Sequence, residues 1–354
     1  MARDDTPSIA AEPPDGSAAG PHNADAHEHA RRREGLFFGF ACYGYWALVF
    51  PLHLKWLNAA VPGETVRDQP WWAAEILGHR IVWSLLVCVA LLFWLNRVAD
   101  FKALLRRKRS VALLALTAAL VSVNWLIFIY AVASDQLYRA GIGYFVTPFV
   151  QIALGMLVLG ERLRGLQWAA LSLAFAGIVW LIAAAGVFPW IELSLAASFG
   201  FYGLLRKRAH AGPIVGLTIE TAAITPIALG WLVYAALAFD RPAAFVGAGP
   251  LPTALLIATG ISTALPLLWF AAAAKRLPLT TIGFLQFGAP VGQFLLGVLA
   301  FGERPQKPIM WFGYALIWLG VTVLCANSLH HRRRSKRNAR PARPDAEGAT
   351  VARE

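Results

Sequence analysis

The stretch from Leu137 to Arg162 occurs twice in this chain. Its second copy, Leu279 to Arg304, follows at a constant offset of about 142 residues without a gap. Between 141–162 and 283–304, 10 of 22 positions are identical. They include Gly141/Gly283, Phe145/Phe287, Pro148/Pro290, Gln151/Gln293 and the terminal Gly160-Glu161-Arg162 and Gly302-Glu303-Arg304. A fold for this chain must therefore contain one unit twice. Each copy is an apolar run of helix length with a Pro and a Gln near its middle, where lipid offers neither a backbone nor an amide partner. Duplicated, Pro-interrupted apolar segments are a feature of transporter cores.

The rest of the chain agrees with a membrane setting. Of its 354 residues 58% are hydrophobic and only 15% charged, well outside the range of soluble domains. The net charge of +12 resides in short clusters between apolar runs. That is the pattern of orientation signals and argues against a nucleic-acid partner. Cys42, Cys88 and Cys325 lie inside apolar runs without metal-site spacing and read as small core residues.

Runs long enough to span a bilayer predict ten helices, near 35–57, 73–95, 110–132, 138–159, 165–185, 190–206, 213–238, 251–274, 279–301 and 308–327. Residues 1–33, rich in Ala, Pro, Asp, Gly and His, read as a disordered tail. Residues 330–354, basic and then Pro-rich, read as another. Most Lys and Arg fall on alternate connections that include both tails, which predicts cytoplasmic termini. With five helices per repeat, the units 34–186 and 187–329 must then be inserted with opposite orientation.

Several polar residues interrupt the spans. Glu75 and His79 share one face of the second helix, with Arg80 beside them roughly 10 Å from its outer end. Snorkelling to headgroups would satisfy Arg80, but intramembrane charge usually faces a polar cavity, and a Glu or His there can exchange a proton near neutral pH. Asn124 at mid-helix must bond a neighbouring helix or a substrate. Tyr144, Pro148 and Gln151 on the fourth helix, with Gln286, Pro290 and Gln293 on the ninth, make either satisfied kinks or a polar patch of substrate size. Glu220, about 145 residues after Glu75, lies near its repeat equivalent, but no His or Arg accompanies it on its own helix, the corresponding positions being Ile224 and Thr225. Gly35/Gly39 and Gly288/Gly292 are weak signals of close helix packing, and Trp71-Trp72 reads as an interface anchor.

Seven motifs occur in order over about 35–327. They are Glu75-Ile76-Leu77 with His79-Arg80, Asn124-Trp125, Gly143-Tyr144-Phe145 with Pro148, Gly160-Glu161-Arg162, Phe201-Tyr202-Gly203-Leu204 with Arg206-Lys207, Ile219-Glu220-Thr221, and Gly283-Phe284 with Gln286. Together they resemble the EamA family of the drug/metabolite transporter superfamily. The resemblance implies a ten-helix bacterial inner-membrane permease built from two such repeats, in a family whose members include exporters of metabolites and amino acids. The long N-terminal tail departs from the family's short start.

The expectation is an all-α polytopic membrane protein of ten transmembrane helices in two inverted five-helix repeats. It would work as a secondary carrier for a small polar or amphipathic substrate, proton-coupled, with the bilayer as its other partner and a homodimer allowed. Trp46, Glu75, His79, Arg80, Asn124, Tyr144, Pro148, Gln151, Tyr202, Glu220, Gln286, Pro290 and Gln293 are expected to line the central cavity. No catalytic residue, metal or cofactor is expected. A membrane-embedded enzyme would need a nucleophile with its base or a surface cluster of His, Asp or Glu. A scaffold subunit would tolerate substitution of the cavity residues.

Overall fold

The computed structural model describes residues 21–61, 70–133, 137–238, 245, 249–302 and 307–338, and the regular structure among them is helical. The first span is α1 (Pro21–Gly44), a π-turn (Tyr45–Val49) and α2 (Phe50–Ala60). It is followed by α3 (Pro70–Trp94), the short α4 (Val98–Leu105), α5 (Lys108–Ala133), α6 (Leu137–Leu159) and α7 (Gly165–Ala185). The second half comprises α8 (Trp190–Arg208), α9 (Pro213–Ala238), α10 (Pro250–Arg276), the broken span α11 (Leu279–Gln286) and α12 (Gly288–Phe301), and α13 (Met310–Asn338). Among the described residues eight helices are long and apolar enough to cross a membrane. The apolar Met310–Leu324 and the 19-residue α8 bring the spans to ten. Leu157 and its repeat partner Leu299 are 83% and 80% exposed while Gln151 is fully buried, so apolar side chains face outward and polar ones inward, as lipid requires.

Three boundaries differ from expectation. α1 begins at Pro21, inside the stretch assigned to a tail, and is tied down where Arg31 Nη2 donates to Lys275 O (2.8 Å) and Glu34 pairs with Arg276 (3.0 Å). α13 continues to Asn338, past the expected boundary at 330, because Lys and Arg are good helix formers and extending an existing helix needs no new nucleus. α4 lies within the basic run 97–109. Its Val98, Phe101 and Leu104, spaced three apart, pack on Leu92 and Val215. The tails 1–20 and 339–354 lie outside the described residues.

The two halves interlock through helices that are repeat equivalents. On α7 and α13, a β-carbon added to Gly177 would lie 2.6 Å from Gly313 O, and one added to Gly320 would lie 2.6 Å from Ala170 O. Gly320 follows Gly177 by 143 positions and Gly313 follows Ala170 by the same 143, so the two contacts exchange under the repeat. As position rises on α7 it falls on α13, so the pair is antiparallel. α3 packs on α9 the same way, with Gly78 against Leu232 and Cys88 against Thr221. So does α6 on α11, where Gly283 meets Pro148 and Ile152 and Gly155 meets Thr280. Equivalent helices packed antiparallel about one two-fold are the geometry of an inverted repeat.

Close approach also joins the first span to the second half. Gly39 faces Leu285, and Gly35 faces Arg276 and Leu277. The Gly288/Gly292 pair contributes only Gly292, against Ala47. Trp72 is buried, and its Nε1 donates to Asn58 Oδ1 (3.0 Å), so it pins α3 to α2 instead of anchoring the chain at the interface. The middle of the bundle is filled by Trp46, Phe199, Tyr202 and Phe270, with ring centroids 5.4–6.4 Å apart.

Candidate substrate site

The π-turn in the first span follows from Pro51, which has no N–H to donate. Phe50 N–H bonds to Tyr45 O, five residues back, so neither residue 50 nor residue 51 serves the Trp46 carbonyl. Gln293 Nε2 supplies the missing donor at 2.8 Å. The Trp46 ring packs on Tyr43, Phe199 and Phe270. The π-turn also aims Tyr45 and His53 at α10. Tyr45 Oη lies 2.8 Å from Ser262 Oγ, His53 Nδ1 lies 2.5 Å from the same hydroxyl, and His53 Nε2 lies 3.0 Å from Leu255 O.

Beside this chain sits Arg80 of α3. Its Nε donates to Thr263 Oγ1 at 2.9 Å, and its guanidinium lies 4.8 Å from the centre of the Phe50 ring and 5.5 Å from that of Trp125. The Tyr144 phenol is within its electrostatic reach. No carboxylate among the described residues pairs with it. His79 is buried and stacks on Phe245 at 4.8 Å, and Glu75 is buried with partners of its own. The structure thus brings Arg80, Tyr144 and the end of the π-turn together, and adds Tyr45, His53, Ser262 and Thr263, which the sequence reading missed. The missed signals were a His inside an apolar span and an adjacent Ser-Thr pair in another.

The remaining expected residues serve different contacts. Asn124 Nδ2 donates to Leu195 O (2.9 Å) and Ser198 Oγ (3.0 Å), joining α5 to α8. Gln286 Oε1 accepts from Tyr43 at 3.5 Å. Gln151 is fully buried against Gly203, and neither its Oε1 nor its Nε2 has a hydrogen-bond partner. Pro148 sits inside a continuous α6, whereas the helix breaks at Phe287 just before Pro290, so the same motif bends the two copies differently.

Glu220 and Tyr202 belong to a second cluster. On antiparallel α3 and α9, Glu75 lies near the level of Leu232 while Glu220 is twelve residues further along, which separates the two carboxylates by roughly 20 Å. Glu220 Oε1 accepts from Thr117 Oγ1 at 2.6 Å and lies 3.5 Å from Arg206 Nε, with both charged side chains buried. Arg206 comes from α8, so inspection of Glu220's own helix could not reveal it. Tyr202, also buried, lies within electrostatic reach of Arg206 and stacks on Phe270 at 5.6 Å.

The first Gly-Glu-Arg has a visible role. Gly160, at φ +67°, turns the chain so that Glu161 accepts the N–H groups of Leu279 and Thr280 through its two oxygens, each at 2.7 Å, at the start of α11. Gly302 has the same φ of +67°, but Glu303 and Arg304 lie outside the described residues. Among the described residues no group of three or more His, Cys, Asp or Glu could hold a metal ion.

Comparison with known proteins bears on this geometry. The model of the EamA-like transporter family matches residues 69–183. Protein RarD of Streptomyces exfoliatus is 42% identical over 91% of this chain and 98% of its own. Protein RarD of Escherichia coli (strain K12) is 37% identical over 86% of this chain and 98% of its own. An uncharacterized transporter of Pseudomonas aeruginosa is 37% identical over 86% of this chain and 97% of its own. A solved crystal structure superposes with a TM-score of 0.59 over 83% of this chain and 96% of its own, at 20% identity, a likeness of fold.

Proposed function

This chain belongs to the EamA-like transporter family, alongside the proteins named RarD, and from that premise we propose a secondary carrier that works by alternating access between its two inverted halves. It is a multi-pass membrane transporter of the bacterial inner-membrane type. The proposed cargo is a small polar or amphipathic metabolite or drug bearing an anionic group. Transport is proton-coupled through Glu75 or His79, and both termini are cytoplasmic, in line with the basic clusters.

One observation carries this reading: Arg80 is a cation inside the bundle with a hydroxyl and two aromatic faces as partners and no carboxylate among the described residues. A charge at the bilayer centre costs about 2.5–3.5 kcal/mol on insertion scales. A cation–π contact returns about 0.5–2 kcal/mol and leaves the guanidinium's planar fork free for a carboxylate. The Tyr45, Ser262 and His53 chain lies beside that fork and would contact the rest of the cargo.

A thermal-shift screen of the purified protein against small carboxylates and their amide analogues tests this. A true ligand at about a hundred times its dissociation constant stabilises by roughly 2.7 kcal/mol. The expected hit raises the melting temperature of the native protein, its amide does not, and Arg80→Gln abolishes the shift. Equal stabilisation by acid and amide, unaffected by Arg80→Gln, would remove Arg80 from the site.

A further inference from the structure

Resting on the reading of the chain as a carrier, we propose that Glu220 is a proton-binding site at the basic end of the bundle, and that its ionised form, held by Arg206 and Thr117, keeps that end closed. The pair joins three helices, α9 through Glu220, α8 through Arg206 and α5 through Thr117. It is also incomplete. Glu220 Oε2 has no hydrogen-bond partner, nor do Arg206 Nε and Nη1, although both residues are at least 98% buried. A permanent pin between guanidinium and carboxylate would use two parallel hydrogen bonds. Here a single oxygen serves both partners, and Oε2 is left as an open acceptor in the interior.

The surroundings bring a cavity within one residue of the pair's cation. Arg206 Nη2 donates to Pro213 O (3.0 Å) and approaches Gly212 O (3.4 Å) at the turn between α8 and α9. A β-carbon on Gly216 would collide with the guanidinium, so that glycine makes its seat. A cavity of about 670 Å³ opens beside the same turn, lined by Gly212, Pro213 and Val215, with Arg107, His210 and Arg276 on its wall. Among the described residues Glu220 is the one carboxylate in its group. Facing it are Arg206 and Tyr202 from α8, Thr117 from α5, and Cys88 from α3, beside Thr221. The next cations, Lys207 and Lys275, are held by backbone carbonyls, Lys207 by those of Ala274 and Leu277 and Lys275 by those of Lys207 and Ala209.

The step moves one proton and breaks no covalent bond. A proton from cavity water binds Oε2, Glu220 becomes a neutral acid, and Arg206 loses its counter-charge. The Thr117 hydrogen bond persists, so α9 stays with α5 while its charge tie to α8 is gone. At this end α8 is then held by the Arg206 contacts with the α8–α9 turn and the reciprocal lysine–carbonyl contacts with α10, and loss of the charge tie loosens the closure.

Two measurements on the full chain in nanodiscs test this without any transported solute. In infrared difference spectra between about pH 8 and pH 5, a protonated-carboxyl C=O band should appear in the native protein and be missing in Glu220→Gln. In a background carrying Cys42→Ala and Cys325→Ala, Cys88 should be alkylated by N-ethylmaleimide about tenfold faster, at fixed pH, in Glu220→Gln than with Glu220 intact. The double variant Glu220→Gln/Arg206→Met, which strands no charge, should label as fast as Glu220→Gln. Persistence of the full band in Glu220→Gln, or native-like protection of Cys88 in the double variant, overturns the proposal. Flux measurements at Arg80 judge the carrier reading separately.

Discussion

At one end of the bundle Arg80 of α3 faces Thr263 of α10, and at the other Glu220 of α9 faces Thr117 of α5. α3 and α9 are repeat equivalents, as are α5 and α10, so a charge on the second helix of each half meets a hydroxyl on the third. The charges differ in sign, and so do their fates. Arg80 lies between two aromatic rings with no carboxylate partner among the described residues, whereas Glu220 is drawn into an ion pair by Arg206. The two halves thus place polar groups on corresponding helices and give them different partners.

That comparison breaks first at the ion pair. Arg206→Ala strands a buried carboxylate and should cost about 3–5 kcal/mol, read as a large drop in melting temperature. Arg80→Gln breaks no ion pair and should melt close to the native protein. Equal losses in the two variants would mean that both ends are structural. Next comes the seam of the inverted repeat. Gly177→Val places a branched side chain against Gly313 O, and by two-fold equivalence Gly320→Val does the same against Ala170 O. Each should cost about 1–3 kcal/mol, and a much larger gap between the two would show that the seam is not symmetric.

Gln293→Leu leaves the Trp46 carbonyl without its donor and should cost about 1–3 kcal/mol. Gln151→Leu removes an amide with neither end bonded and should be neutral or stabilising in the same melting assay. Glu161→Gln, where one backbone N–H at the start of α11 keeps an oxygen acceptor, should lose about 1 kcal/mol.

The repeat, the ten spans and the inward placement of polar residues were legible because each depends on local composition or on self-similarity. The pairing of α7 with α13 could not be read from either glycine alone. It follows once Gly177 and Gly320 are recognised as equivalents. What stayed hidden needs two distant stretches at once. Arg206 meets Glu220 across the α8–α9 contact, and His53 meets Ser262 across 209 positions of sequence. Gln293 donates to Trp46 O, a role that depends on a π-turn that Pro51 imposes nearly 250 residues earlier. Asn124 was expected to line a cavity, yet its amide bonds a backbone carbonyl and a serine on α8.

The most direct measurement is counterflow in proteoliposomes, using a carboxylate that stabilises the native protein, with no proton gradient and then with one. Native protein should exchange the solute in the first condition and accumulate it in the second. Arg80→Gln should do neither while remaining folded, and Glu75→Gln should keep exchange but lose gradient-driven accumulation. Exchange by Arg80→Gln at the native rate would contradict an anion site at Arg80, and with it the division of labour between the two ends.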